Sequence, residues 1–446
     1  MLQARTLPTF LVAALVLSLH TSCSDSDDGS PTAAGPGGTA ARTSALDRLD
    51  ELGLDAYRDL VAGTSFETTL AGDGPLTVVA PTDAALAVLG GWPLGASGFT
   101  SLGAAEELVA RTVVAGTRFD EATLRAFGSL QTAGGDLIVD VDPSDDALLL
   151  DAGRVERVDA ESDHATIFVV DAVPTPPLDP LDVLELRSLT VFRALLEATG
   201  VDDELRSGTF TVLAPTNGAF AALGQPALDA LFDPANVAEA AARARFHLLP
   251  GSARASDLVA LGTRPSLEGS LAVVDGAAAA GPSVNGATLV FTNAPSTSGV
   301  VQRLDAVLAV PPTFDELVLA EGLVAFEGLL FASGVGDDFA DAAALTAFVP
   351  TDAAFASVPQ ATLDDLVDPV NVELLRSTMR RHGVPEALPT GALEAGLDLV
   401  DLGGVALELI DDGAGGVRVD GSAALVVRDL YATNGVVHLV DAVLLP

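Results

Sequence analysis

The chain has no lysine. Its 22 basic residues are all arginine, set against 62 Asp+Glu in 446 residues, which gives a formal net charge of −40. A field of that sign repels phosphate backbones, which argues against a nucleic-acid partner, and it favours solubility and contact with cations. A salt-adapted surface and a coding bias both produce such a composition, so the acidity alone marks no site. Cysteine is nearly missing as well: Cys23 stands alone and cannot pair within the chain. Aromatic residues make up 5%, with one Trp and two Tyr, which leaves little for a stacked sugar-binding platform. Apolar runs of the ~20 residues needed to span a bilayer are absent, so no transmembrane helix is expected.

What is present begins with an address. Arg5 is followed by an apolar run from Phe10 to Leu19, broken only by Ser18, and then by His20-Thr21-Ser22-Cys23. This is the layout of a signal peptide, placed at 1–22. Its end resembles the lipobox of bacterial lipoproteins, with Ser22 as the small residue before Cys23 and with His20 where an aliphatic residue is usual. Cys23 is thus the expected lipidation site, and an ordinary secretory signal with an incidental cysteine is the other reading. Residues 23–43, acidic at first and then rich in Gly, Ala, Pro and Thr, read as a flexible tether. The expected location is the cell envelope, as a lipoprotein, or the extracellular space.

The remainder repeats itself. Ala80-Pro81-Thr82-Asp83, Ala214-Pro215-Thr216-Asn217 and Val349-Pro350-Thr351-Asp352 are spaced 134 and 135 residues apart. A second signature, Val-Asp-Ala-Val at 170–173 and 440–443 and Leu-Asp-Ala-Val at 304–307, keeps step through Asp171, Asp305 and Asp441. Solenoid units repeat every ~20 to 50 residues, so a period this long is a whole domain. Three tandem domains follow: 44–177, 178–312 and 313–446.

Each unit opens on a helical pattern, such as Leu181, Leu184, Leu186, Leu189, Phe192, Leu195 and Leu196 in the second. A short strand comes next and ends at the signature proline, which cannot donate to a sheet ladder. The Thr-Asp or Thr-Asn behind it suits a helix N-cap. Further strands, including 137–141 and 271–274, lead to a last strand entered through a tight turn, as at Asn434-Gly435. The fold class is α+β.

Phe210-Thr211-Val212-Leu213-Ala214-Pro215-Thr216-Asn217-Gly218-Ala219-Phe220 resembles the first signature of fasciclin (FAS1) domains. Asn434-Gly435-Val436-Val437-His438-Leu439-Val440-Asp441-Ala442-Val443-Leu444 resembles the second. The two stand about 90 residues apart in all three units. The resemblance implies a β-sandwich wedge with flanking helices in each unit, in a family of secreted or surface-anchored adhesion and matrix modules. It also implies a third signature, a Tyr-His pair implicated in integrin contact in animal members. Phe246-His247 and Arg381-His382 fall there, each histidine 32 residues after its proline, and the first unit has Arg111-Thr112. No unit has the tyrosine.

Phe246, His247, Arg381 and His382 are therefore the candidate partner-binding residues. The competing reading makes each histidine a buried group with a hydrogen-bonded partner, for which Asp171, Asp305 and Asp441 are candidates. Catalysis finds no nucleophile: there is no Gly-x-Ser-x-Gly elbow, and the one cysteine belongs to the export signal. Five histidines without a His-Glu-x-x-His pattern give no zinc site, and Gly276 to Gly286 lacks the ending of a phosphate loop. His438, matched by Phe168 and Gln302, reads as an ordinary strand residue. Asp411-Asp412-Gly413 reads as a hairpin turn. No enzyme activity, cofactor or metal is expected. The expected function is adhesion or matrix scaffolding by non-covalent, multivalent contact with cell-surface or matrix proteins or polysaccharides, with the membrane met only through a lipid anchor. The alternative is capture of an extracellular polysaccharide or small ligand.

Overall fold

Each signature proline lies at the end of a six-residue strand: Leu76–Pro81, Phe210–Pro215 and Leu345–Pro350. In every domain this opening strand pairs in parallel with the closing strand that carries the second signature, Ala165–Val170, Gly299–Leu304 or Gly435–Val440. The registers agree, with Pro81 opposite Val170, Pro215 opposite Leu304 and Pro350 opposite Val440. Two motifs about 90 residues apart are thus neighbours in one sheet.

The computed structural model describes residues 43–89, 102–141, 146–151, 153–159, 164–174, 178–278, 281–413 and 416–445. The signal segment 1–22, Cys23 and the tether up to Arg42 lie outside the described residues. Residues Thr43–Pro446 form one compact unit.

Each domain contains a seven-stranded sheet of the same order. From the opening strand, the chain passes through helices to a short antiparallel edge strand, then along a meander that returns to the closing strand. Because side chains alternate across a strand, the central strands feed two cores. In the first domain Val78 and Ile167 face a helical core with Tyr57 and Leu70, while Val79 and Phe168 face a second core with Leu137 and Val139. The second and third domains repeat this division, Val212 against Leu213 and Ala347 against Phe348. Burying such a side chain contributes roughly 1.5–3 kcal/mol. Each domain therefore has apolar mass on both faces of its sheet, a wedge with helices along one side.

The signature residues serve the fold in detail. Thr82, Thr216 and Thr351 cap the following helix by accepting the amides of Ala85, Ala219 and Ala354 at 3.2, 3.1 and 3.2 Å. The next residue reaches elsewhere. Asp83, Asn217 and Asp352 accept the amides of Ala56, Val191 and Ala325, in the first turn of an earlier helix, at 3.0, 3.1 and 3.1 Å. The strand threonines Thr77, Thr211 and Thr346 each bind both ends of a loop 40 to 42 residues on.

One expectation changes. The single helical pattern from Leu181 to Leu196 is two helices, Pro180–Leu186 and Thr190–Thr199. Ser188 breaks them apart with a φ of 57°, a conformation that no helix accepts. The apolar spacing survives the break because both helices pack on the same core.

Candidate functional site

His247 and His382 are completely buried. Each follows the last residue of a helix, Val237–Phe246 or Val372–Arg381. The Nδ1 of His247 lies 2.8 Å from Arg243 O, and that of His382 lies 2.8 Å from Thr378 O, so Nδ1 carries the proton and donates. Nε2 then accepts the amide of Leu308 or Leu444, each at 3.0 Å. Phe192 and Phe326 pack against the two rings, with centroids 5.3 and 5.8 Å away. Burial pushes both imidazoles down, to about 4, and keeps them neutral. The histidine ties the end of its helix to the segment leaving the closing strand.

The aspartates of the second signature are not the partners of these histidines. Asp171, Asp305 and Asp441 accept the amides of Arg154, Thr288 and Ala424 at 2.7, 2.6 and 2.7 Å. They are held by the adjacent strand, so the carboxylate-histidine pairing expected from the sequence does not form.

In the first domain Thr112 takes the histidine's place and Tyr57 takes that of Phe192, with Tyr57 Oη 2.5 Å from Thr112 Oγ1. Pro174 stands where Leu308 and Leu444 stand in the sister domains. Proline has no amide to satisfy, so no imidazole is needed there.

The preceding residue shows a second compensation. Arg111 is buried and donates to Asp151 from Nε at 3.1 Å and Nη2 at 2.9 Å. Burial pushes the Asp151 carboxyl up to about 6, against the pull of Arg111. Arg381 repeats the contact with Asp420, its Nε donating at 2.8 Å. In the second domain the arginine is Phe246, which is buried in the β-side core, and the carboxylate's place belongs to the neutral Asn285. All four sequence candidates therefore have partners inside their own domains, and Arg381 alone keeps some exposure. His438 is also buried, donating from Nε2 to Leu388 O at 3.0 Å and accepting the Asp429 amide at 3.3 Å.

Sequence reasoning missed the junctions between domains. Asp140, on the Gly135–Val141 strand, accepts the Asn293 side-chain amide at 2.8 Å and the Ser256 amide at 3.2 Å, both from the second domain. Asp275 occupies the same place in the second domain and accepts the Gly391 amide of the third, also at 3.2 Å. A Cβ at Gly391 would meet the Asp275 carboxylate as it is now placed, whereas the first junction makes the same bond with Ser256. Val273 packs across the same junction on Ala387 and Val436, and Leu271 N donates to Thr433 O at 2.8 Å. In the last domain the corresponding residue is Ile410, paired with Arg418 as Asp275 is with Ser283. The signal was available: Asp140 and Asp275 are 135 residues apart, one period.

The helical faces also differ. In the second domain Arg193 bridges Glu185 and Glu197. In the third the same positions hold Leu319, Glu327 and Phe331, and Val370 and Leu374 replace Ala235 and Glu239. Phe331 is 89% exposed and Val370 88%. Among the described residues no cluster of His, Cys, Asp or Glu could hold a metal ion, and no helix is long and apolar enough to cross a membrane.

A family profile described as the fasciclin domain matches residues 53–176, 187–311 and 321–446. The transforming growth factor-beta-induced protein ig-h3 of Sus scrofa is 29% identical over 247 residues, which cover 54% of the chain and 35% of that protein. The chain thus matches about a third of the length of this relative. The fasciclin-like arabinogalactan protein CTB11 of Cercospora beticola is 30% identical over 159 residues, covering 35% of the chain and 41% of that protein. Among solved structures, a FAS1 domain pair from the insect cell adhesion molecule fasciclin I is matched at a TM-score of 0.28 and 18% identity, over 59% of the chain and 98% of that structure.

Proposed function

The chain belongs to the fasciclin domain family, and we propose that it is an exported adhesion or matrix-scaffolding protein whose three domains act together as one semi-rigid arm. The observation that carries this reading is the repeated junction. Asp140 and Asp275 each bond to the next domain at 3.2 Å through the same backbone position. Domains locked this way present their surfaces in fixed register, so weak contacts along the arm add through effective concentration.

The contact surface in this reading is where the copies differ. The third domain's helical face has lost the Glu185–Arg193–Glu197 ladder of the second and exposes Leu319, Val324 and Phe331 beside acidic Glu327. Apolar side chains beside a carboxylate suit a partner that offers apolar groups next to a cation. His247 and His382, closed inside, act by holding the fold. Export on the 1–22 signal, lipidation of Cys23 and domains at 44–177, 178–312 and 313–446 complete the proposal.

The test is adhesion of cells or beads carrying the full chain to the native envelope or matrix. Leu319→Glu with Phe331→Glu should reduce retention severalfold while leaving thermal stability near the parent's, since both side chains face solvent. Unchanged retention would move the contact surface elsewhere. A Cys23→Ala form in the same assay should be released from the membrane fraction.

A further inference from the structure

The two junctions share one plan and differ at one corner. At the first, Arg254 is the N-cap residue of the Ala255–Leu261 helix, and its guanidinium crosses the junction. Nε and Nη2 pair with Asp257 of the same helix, each at 3.0 Å, while Nη1 donates to Val139 O at 3.1 Å and lies against Gly128. Beside it, Asp140 accepts from Asn293 at 2.8 Å.

At the second junction the receiving wall is repeated. Gly262, Val274 and Asp275 stand for Gly128, Val139 and Asp140: the Val139 amide donates to Gly128 O at 3.2 Å, and the Val274 amide to Gly262 O at 2.6 Å. The opposite wall is not repeated. Asn293 Oδ1 accepts the Ala255 amide at 3.0 Å and Asp429 Oδ1 accepts the Thr390 amide at 2.7 Å, so Asp429 stands for Asn293 and Pro389 for Arg254. The pyrrolidine ring cannot cross the junction as the guanidinium does. A cavity of about 480 Å³ lies there, lined by Gly262, Val274 and Asp275 on one side and Pro389, Gly391 and Ala392 on the other.

Charge changes with shape. Relative to the first junction, the second has lost the Arg254–Asp257 ion pair, whose places are taken by Pro389 and Ala392, and has exchanged a neutral amide for a carboxylate, leaving it one negative charge the richer. Asp429 accepts the Thr390 amide and Asp275 the amide of the next residue, Gly391, so the two acids meet at one short segment of the wall. Asp275 is itself buried, and the buried Thr390 Oγ1 beside the cavity has no hydrogen-bond partner among the described residues. Asp275 accepts the amides of Ala277 at 2.9 Å and Gly391 at 3.2 Å, but where the first junction sets the Arg254 guanidinium beside Asp140, the second offers only the Pro389 ring and open space.

We propose that the cavity between the second and third domains binds a guanidinium or alkylammonium cation, which takes the place filled at the first junction by the Arg254 side chain. The walls offer a carboxylate for the charged head and the apolar surface of Val259, Leu261 and Ala392 for an alkyl stem. The cation could come as a small molecule or as an arginine side chain of a polypeptide, and both present the same head. This inference is independent of the adhesive reading.

The test is calorimetric titration of the full chain at physiological salt with n-butylguanidinium, its neutral isostere n-butylurea, and the peptide acetyl-Gly-Arg-Gly-amide. One saturable site for butylguanidinium and no heat with butylurea is the expected result. Binding of the peptide at equal strength identifies a side-chain source, and failure of the peptide identifies a small-molecule source. Asp275→Asn should weaken binding about tenfold or more, the loss of a charge-assisted hydrogen bond. Pro389→Arg, which restores the crossing guanidinium though not its Asp257 partner, should abolish binding. Equal binding of butylurea, non-saturating uptake of several cations per chain, or unchanged binding by a folded Pro389→Arg chain would each overturn the proposal.

Discussion

Thr112 and Pro174 occupy in the first domain the two places held by His247 and Leu308 in the second. Where the backbone has an amide, the imidazole accepts it at 3.0 Å; where proline removes the amide, a threonine suffices and bonds to Tyr57 instead. The histidine is therefore the complement of one buried N–H. His247→Ala should leave that amide and the Arg243 carbonyl unpaired beside a cavity, at a cost on the order of 2–4 kcal/mol. Equilibrium denaturation of the whole chain, followed by a probe in the second domain, measures it.

The converse exchange belongs to the first domain. Pro174→Leu introduces an amide opposite Thr112 and should destabilise, and adding Thr112→His with Tyr57→Phe should recover part of the loss. A double-mutant cycle with no coupling between positions 112 and 174 would contradict the pairing.

Acid should act selectively. His247 and His382 are depressed to about 4 from the ordinary 6.5. Between those values the unfolded chain takes up protons that the folded chain refuses. Their contribution is present above 6.5 and lost as pH falls towards 4, by up to roughly 3 kcal/mol per histidine. Asp151 runs the other way, since a carboxyl raised to about 6 contributes at low pH and loses that contribution as pH rises through about 6. Thermal midpoints between pH 7 and 4.5 should fall less steeply in a His247→Gln, His382→Gln chain than in the parent. Parallel slopes would reject the assignment.

Arg111 and Asp151 should prove interchangeable only as a pair. Arg111→Phe alone leaves a buried carboxylate without its cation, at about 3–5 kcal/mol. Adding Asp151→Asn reproduces the Phe246 and Asn285 combination of the second domain, and most of the loss should return. Chemical denaturation of the single and double variants decides it.

Much of this fold could be read from the sequence because it is local. The strand ended by proline, the threonine cap behind it and the two-residue turn before Gly435 are each written in consecutive residues, and three copies at one period multiply the signal. The unread parts join residues far apart. Asp83 and Asn217 follow a capping threonine and look like cap residues themselves, yet their oxygens serve a helix 27 and 26 residues earlier. Asp171 sits between apolar neighbours like a histidine's partner, but it accepts the Arg154 amide of the adjacent strand at 2.7 Å. The junction aspartates look like ordinary polar residues on alternating strands. Only comparison of the copies with one another reveals them, because Asp140 and Asp275 agree where the last domain has Ile410.

The junctions themselves predict mechanics. Asp140→Ala with Asp275→Ala should leave each domain folded, since both side chains bond across the junction, and should broaden the distribution of domain orientations. Small-angle scattering is expected to show a larger and more variable maximum dimension than the parent chain. An unchanged profile would assign the rigidity to the other junction contacts, Arg254 with Val139 O at the first and Val273 with the Leu271–Thr433 bond at the second.

The central claim is that three domains adhere as one. Beads carrying the full chain, or the three domains separately at the same total domain density, can be compared for retention on the native envelope under increasing flow. The joined chain should be retained far more strongly, by a factor on the order of 100 if its contacts engage together. Equal retention of joined and separate domains would contradict the account.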